Sequence, residues 1–247
     1  MTEPASKSRI AVLDAHALSA ECLCLALALR GHEALQVPMP SRTTSGAALL
    51  ANILRKRPDV VILDIELGTG WDAGTLVQEL ARSGVIVVVI TEVSDPARWG
   101  EALAHGARLV LPKDAPLNTV TSAVRRLNDH VPVMTLDQRR GLLEAYRDES
   151  RERREQRARL ETLTTRESEV LNYLITGLTV SGIARMCVVS EATVRTQIKA
   201  VLTKLEVRSQ IAAVGVAHHI KWHPRDFSKV DDRKRHRVDP AQPAAAI

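Results

Sequence analysis

No apolar run in this chain approaches the roughly 20 residues that span a bilayer, and the N-terminus MTEPASKSRI lacks the apolar core of a secretion signal. A soluble, cytosolic protein without membrane contact is the expectation. Cysteine is scarce too. Cys22 and Cys24 are too few and too close for a disulfide framework, and Cys187 has no metal-ligand spacing around it, so all three are expected as small buried hydrophobes. Aromatics number one Phe, two Tyr and three Trp, yet 45% apolar and 26% charged residues exclude a chain disordered throughout. At roughly 100 to 200 residues per domain, the 247 residues suggest two domains.

The net charge of +5 is unevenly placed. Residues 1–130 hold 13 basic and 14 acidic side chains, and residues 131–247 hold 21 and 15, so the basic excess lies in the C-terminal part. A polyanion partner for that part follows, although the excess alone is small. Within it, the tail 221–247 has seven basic and four acidic residues, including RKRHR at 233–237, and is expected to be a disordered basic tail.

In the N-terminal half, short apolar runs at 10–13, 34–37, 60–63, 85–90 and 109–111 alternate with stretches of helical period at 17–30, 46–56, 73–82, 96–105 and 116–128. Five strands alternating with five helices predict a doubly wound α/β domain with a five-stranded parallel sheet, flavodoxin-like in form. In such sheets chemistry gathers beyond the C-terminal strand ends. Those ends carry Asp14, Asp64, Thr91 and Lys113. Two carboxylates, a hydroxyl and an ammonium on one rim suit phosphoryl acceptance: one carboxylate as nucleophile, the other for a divalent cation, the remaining groups for phosphoryl oxygens.

The segments VLDAH (12–16), PDVVILD (58–64), VVVIT (87–91) and LPKDAP (111–116) resemble the blocks of a bacterial response-regulator receiver domain over roughly residues 8 to 130. The resemblance implies Asp64 as phosphoacceptor, with a sensor histidine kinase as its partner. It also implies Asp14 as part of a metal-binding acidic pair, Glu66 as a main-chain metal contact, Thr91 as the switch hydroxyl and Lys113 as the phosphate-contacting lysine. The metal set is then Asp14, Asp64 and Glu66, and the ion Mg²⁺. Three positions depart from the pattern. Ala15 stands where the second carboxylate of the pair belongs, Val110 replaces the switch aromatic, and ELGTGWDAG (66–74) is a longer, Gly-rich form of the loop after Asp64. Loss of a carboxylate lowers affinity for Mg²⁺. The receiver is therefore read in two ways, as a phosphorylated switch or as a phosphorylation-independent module for dimerisation or ligand sensing.

Residues 135–162 contain no proline and many helix formers, with eight Arg facing seven acidic residues and pairs such as Glu149 with Arg153 at i,i+4. A charged linker helix (131–162 with its approach) is predicted. Leu136, Leu143 and Tyr146 begin an apolar seam that stops at Arg147, so a solvated, charge-paired helix is favoured over a dimer zipper.

Beyond it, Thr164-Thr165-Arg166-Glu167 is a capping-box pattern opening a helix with Val170, Leu171, Leu174 and Ile175 inward. A short helix over 180–187, a turn at Val188-Val189 and an N-cap at Ser190 follow. In the third helix Val194, Ile198, Val201, Leu202 and Leu205 form one apolar stripe, and Arg195, Thr196, Lys199 and Thr203 fall on the opposite face. Two short helices joined by a tight turn have the form of a helix-turn-helix reader; periodicity alone fits an ordinary helical bundle as well. The segment LTTRESEVLNYLITGLTVSGIARMCVVSEATVRTQIKAVLTKLEVRSQIAAV (163–214) closely resembles the LuxR-type helix-turn-helix domain, nearly without gaps. Receiver plus LuxR-type domain is the composition of the NarL/FixJ response regulators. By that resemblance Arg195, Thr196 and Lys199 face the DNA groove with Thr203 and Gln197 beside them, and Lys204 meets a phosphate.

The expected organisation is a receiver (1–130), a charged linker helix (131–162), a LuxR-type domain (163–220) and the basic tail (221–247). The expected function is transcription regulation by a homodimer on double-stranded DNA, without enzymatic activity. Two rivals stand beside it: an aspartyl-phosphate phosphatase, whose second aspartate would fall where Glu66 is, and a protein-interaction adaptor that does not bind DNA.

Overall fold

The computed structural model describes residues 7–39, 44–67 and 72–223. The middle of the Gly-rich loop and all but the first three residues of the basic tail lie outside them. The chain divides into two compact units, Met1–Glu149 and Ser150–Ile247.

In the first unit β1 (Arg9–Leu13), β2 (Glu33–Gln36), β3 (Val60–Asp64), β4 (Ile86–Thr91) and β5 (Leu109–Pro112) form one sheet in the order β2-β1-β3-β4-β5. Every neighbouring pair is parallel. The inner strands β1, β3 and β4 are nearly continuous apolar runs because both faces are covered, whereas the edge strand β2 is half-exposed; alternation sends neighbouring residues to opposite layers. Ile10, Val12, Val60, Ile62, Val88 and Ile90 pack with α1 (Ala17–Ala28) and α5 (Leu117–Asn128). Ala11, Leu13, Val61, Leu63, Val87 and Val89 pack with α2 (Gly46–Arg55), α3 (Ala73–Arg82) and α4 (Pro96–Ala104). The order of strands reverses at β1, so the ends of β1 and β3 flank the crevice where α/β sheets place their ligands. The doubly wound parallel sheet predicted from the sequence is the observed one.

α6 (Leu136–Glu161) is a continuous helix of 26 residues. Its opening turns are not the solvated, charge-paired surface predicted for them. Leu142 and Leu143 pack against the α2-α3-α4 core, and the Arg139 guanidinium donates to the Leu103 carbonyl at 3.4 Å. A Cβ built on Gly100 in α4 would lie 1.9 Å from the Leu142 carbonyl oxygen and 2.8 Å from the Tyr146 Cβ. The short apolar seam thus serves the receiver core, which is why it ends after two turns.

The second unit contains α7 (Thr165–Ile175), α8 (Val180–Cys187), α9 (Glu191–Lys204) and α10 (Gln210–His219). Each opens on a side-chain N-cap: Thr164, Thr179, Ser190 and Ser209. Thr164 and Glu167 complete the capping box reciprocally. Leu160, Leu171, Val201, Leu205, Ala213, Ala217 and Ile220 form one core, and Val170, Ile183, Ala184, Val194 and Ile198 another.

The cysteine expectation needs correction. Cys22 is exposed, and Cys24 and Cys187 are half-buried. α1 is apolar on its outer face as well as its inner one, with Leu18, Leu25 and the C-cap Leu29 exposed, so its pattern did not mark an inward face. Among the described residues no helix is long and apolar enough to cross a membrane.

Candidate functional site

Asp14 follows β1 directly and Asp64 ends β3; both side chains are fully buried. The Lys113 ammonium, just past β5, donates to Asp14 Oδ1 at 3.0 Å and to Asp64 Oδ2 at 2.7 Å. Thr91 is buried at the end of β4, one position beyond the register partner of Asp64, and its Oγ1 accepts from the Val93 backbone N–H at 3.0 Å. The Glu66 backbone N–H donates to Asp64 Oδ1 at 2.9 Å while its side chain is exposed. The strand ends therefore bring Asp14, Asp64 and Lys113 into direct contact, with Thr91 and Glu66 beside them.

The sequence reading missed two members of this pocket. Ser19 Oγ donates to Asp14 Oδ2 at 2.7 Å, and the His16 backbone N–H donates to Asp14 Oδ1 at 2.8 Å. His16 Nδ1 is 3.0 Å from Lys113 Nζ. An ammonium has no lone pair, so Nδ1 is the acceptor there. His16 lies in the bend between β1 and α1, where its backbone N–H turns back onto Asp14, so strand alternation does not mark its imidazole as part of the rim.

Burial pushes the Asp14 carboxyl up, but hydrogen bonds from the His16 backbone, the Ser19 hydroxyl and Lys113 outweigh it and hold it below its ordinary value. Burial likewise pushes Lys113 down, and the Asp64 and Asp14 carboxylates reverse this and raise it. These residues do not fit the Mg²⁺ that the receiver resemblance implies. Mg²⁺ requires near-octahedral oxygen ligation, whereas here one carboxylate is replaced by Ala15, both Asp14 oxygens are engaged, and an ammonium and an imidazole nitrogen face the remaining donors.

In the second unit, Val194, Ile198 and Val201 of α9 are buried, which leaves Arg195, Thr196, Lys199 and Thr203 exposed along the opposite side. The Arg195 guanidinium pairs with exposed Glu191, one turn away at 3.2 Å. The Thr196 and Thr203 hydroxyls donate to the carbonyls of Ala192 and Lys199. Two expected groove residues stand apart from this face. Gln197 is half-buried, its Oε1 shut from solvent without a hydrogen-bond partner among the described residues. Lys204 donates to Glu167 Oε2 at 2.6 Å and to the Thr162 carbonyl at 3.1 Å, tying the C-terminal turn of α9 to the capping box of α7. Burial pushes Glu167 up, but Lys204 and the Thr164 backbone N–H outweigh it and hold it below its ordinary value.

Comparison with known proteins matches residues 10–125 to the response regulator receiver domain and residues 161–217 to the bacterial regulatory proteins of the luxR family. A "Probable transcriptional regulatory protein NarL" of Mycobacterium tuberculosis is 32% identical over 214 residues, covering 85% of this chain and 94% of that one. The transcriptional regulatory protein DesR of Bacillus subtilis is 28% identical over 181 residues, covering 72% and 82%. Among solved structures, the two-component response regulator RcsB in complex with DNA covers 87% of this chain and 100% of its own, at 20% identity and a TM-score of 0.47.

Proposed function

The chain belongs to the response regulators that join a receiver domain to a LuxR-type helix-turn-helix domain, and from that membership we propose that it binds specific double-stranded DNA sites through α9 and regulates transcription there. The observation that carries this reading is the exposed row of Arg195, Thr196, Lys199 and Thr203 opposite the buried Val194, Ile198 and Val201. An arginine so placed forms paired hydrogen bonds to guanine O6 and N7 in the major groove, and lysine neutralises phosphate. Lys204 reaches a phosphate only by giving up Glu167, so its part in binding is secondary to its part in the fold. One helix-turn-helix reads only a few base pairs, so a homodimer on paired half-sites is the working form. The exposed Leu18 and Leu25 of α1 and Leu29 at its C-cap offer it an apolar surface. The protein acts in the cytoplasm, as a regulator and not as an enzyme.

The receiver works without a phosphoryl group in this proposal. Its pocket already holds a cation, the Lys113 ammonium, bonded to both carboxylates, and Val110 sits in the core where a switch aromatic would turn. A second reading keeps Asp64 as the target of a partner kinase, and the 2.7 Å contact of Lys113 with Asp64 favours it, because that ammonium is placed to meet phosphoryl oxygens. Genome-wide mapping of bound sites, repeated with Asp64→Asn, tests both. Discrete sites sharing a two-fold motif support DNA reading, and an unenriched map refutes it. Identical maps for the two proteins support the phosphoryl-independent receiver. A map lost with Asp64→Asn, together with a phosphoryl adduct of the wild type after acetyl phosphate treatment, establishes the second reading.

A further inference from the structure

We propose that the outer side of α8 and the turn leading into α9 dock a protein standing on the same DNA, and that this partner is the RNA polymerase of a regulated promoter. The inference rests on α9 as the DNA-reading helix. Ser181, Arg185 and Val188 fall four and three residues apart along one side of α8 and its C-cap, and with Ser190 and Glu191 they line one wide, open groove. Exposed apolar side chains mark this surface. Val188 is 86% exposed, and Met186, next to Arg185 in the chain, is 50% exposed. Val188 is also a β-branched residue in the left-handed conformation, at φ 54° and ψ 49°, a region that glycine enters at no cost and such a side chain only under strain. An apolar side chain held at a strained, solvent-facing position adds little to the packing of its own unit, so its use lies outside the chain.

Charge and position select the occupant. A groove so open does not enclose a small molecule, whereas ligand sites bury most of what they bind. DNA interfaces are polar and strongly cationic, and this surface instead sets an exposed valine and methionine around one arginine. Among the described residues the Arg185 guanidinium has no ion pair, while the Glu191 carboxylate of the same groove is paired with Arg195 at 3.2 Å. The uncompensated positive charge calls for a carboxylate on the partner, beside an apolar group that covers Val188 and Met186. In a helix-turn-helix bound to DNA the first helix crosses the backbone while the N-terminal residues of the second meet the bases. The groove begins at that N-terminus, with Ser190 as the N-cap of α9 and Glu191 as its first residue. Its occupant therefore stands beside the bound site, and at a regulated promoter the protein next along the DNA is polymerase.

The test measures the affinity of purified RNA polymerase holoenzyme for promoter fragments carrying mapped sites, with and without the full-length protein, alongside the affinity of the protein itself for the same fragments. The variants are Val188→Gly, which relieves the strained position, and Arg185→Ala. On at least one fragment the wild type should raise polymerase affinity by about fivefold or more, the lower end of ordinary coupling between two binding events. With either variant that gain is lost, although each binds the fragment as the wild type does and Val188→Gly unfolds at no lower urea concentration. Absence of a gain on every fragment, or a gain that survives both variants, overturns the proposal. Weakened DNA binding by the variants would make the groove a DNA contact, and fewer chains per site would make it a contact between copies; either result overturns the proposal as well. A wild type that binds no specific fragment refutes α9 as the reading helix instead, so the two failures are distinguishable.

Discussion

Gly100→Ala should destabilise the receiver, reversing the usual effect of alanine in a helix. Alanine replacing glycine inside an exposed helix gains about 1 kcal/mol. At Gly100 the added Cβ falls 1.9 Å from the Leu142 carbonyl oxygen and 2.7 Å from its carbon, where carbon contacts settle near 3.5 Å. Both neighbours are backbone of α6, so relief requires that helix to retreat by roughly 1.5 Å. A gap of 0.5–1 Å already forfeits a quarter to a half of a dispersion well, so the partly buried Leu142 and Leu143 lose most of their contact with the core. Half the burial of two leucines amounts to about 2–3 kcal/mol. Set against the propensity gain, the net loss is about 1–2 kcal/mol. The assay is urea denaturation of the full chain, with hydrogen exchange of residues 139–147. Gly141→Ala is the control, because a Cβ on that α6 glycine meets nothing within 4 Å and should stabilise by about 0.5–1 kcal/mol. Equal stabilisation by both variants, with exchange unchanged, refutes the packing argument.

Val188→Gly should stabilise the second unit by about 0.5–1 kcal/mol. Val188 is left-handed at φ 54°, is 86% exposed and so loses little contact, and the strain of about 1–2 kcal/mol outweighs the glycine entropy cost; a lower urea midpoint contradicts this. Lys204→Ala should cost about 1–2 kcal/mol, discounted from the buried-pair range because the Lys204 side chain is 34% exposed. Unchanged unfolding would return Lys204 to a role in DNA contact alone. Burial holds the His32 imidazole below its ordinary value of 6.5. The unfolded chain therefore takes up a proton that the folded one refuses as pH falls below 6.5, and stability declines there. His32→Gln should flatten the pH 7 to 5 segment of the stability curve. Asp14 and Glu167 act lower: both are held beneath their ordinary 3.8 and 4.5, so their contribution is full above those values and lost as pH falls through the folded ones.

What the sequence revealed follows from periodicity and topology. Apolar runs and helical spacings located all five strands and the helices between them, and the rule that strand ends converge brought Asp14, Asp64, Thr91 and Lys113 to one rim. Cap residues such as Thr164 and Ser190 fixed where α7 and α9 begin. Long-range contacts stayed hidden. Nothing local distinguishes Lys204, which pairs with a residue 37 positions away, from the exposed Lys199 on the same helix. The seam that begins at Leu136, Leu143 and Tyr146 has no partner within its own segment, since Leu143 packs on the receiver core and Tyr146 lies beside Gly100 of α4. His16 stayed hidden for the same reason, since it stands in the bend after β1 and its imidazole meets Lys113, 97 positions away.

The affinity of the full chain for a selected genomic site, compared between wild type and Arg195→Ala and across salt concentrations, tests the central claim most directly. A loss of about 1–3 kcal/mol is expected on the specific site, with unspecific binding and the urea midpoint nearly unchanged, because Arg195 is exposed and, among the described residues, pairs with Glu191 on its own helix. Specific affinity equal to the wild type contradicts the assignment of α9 as the reading helix.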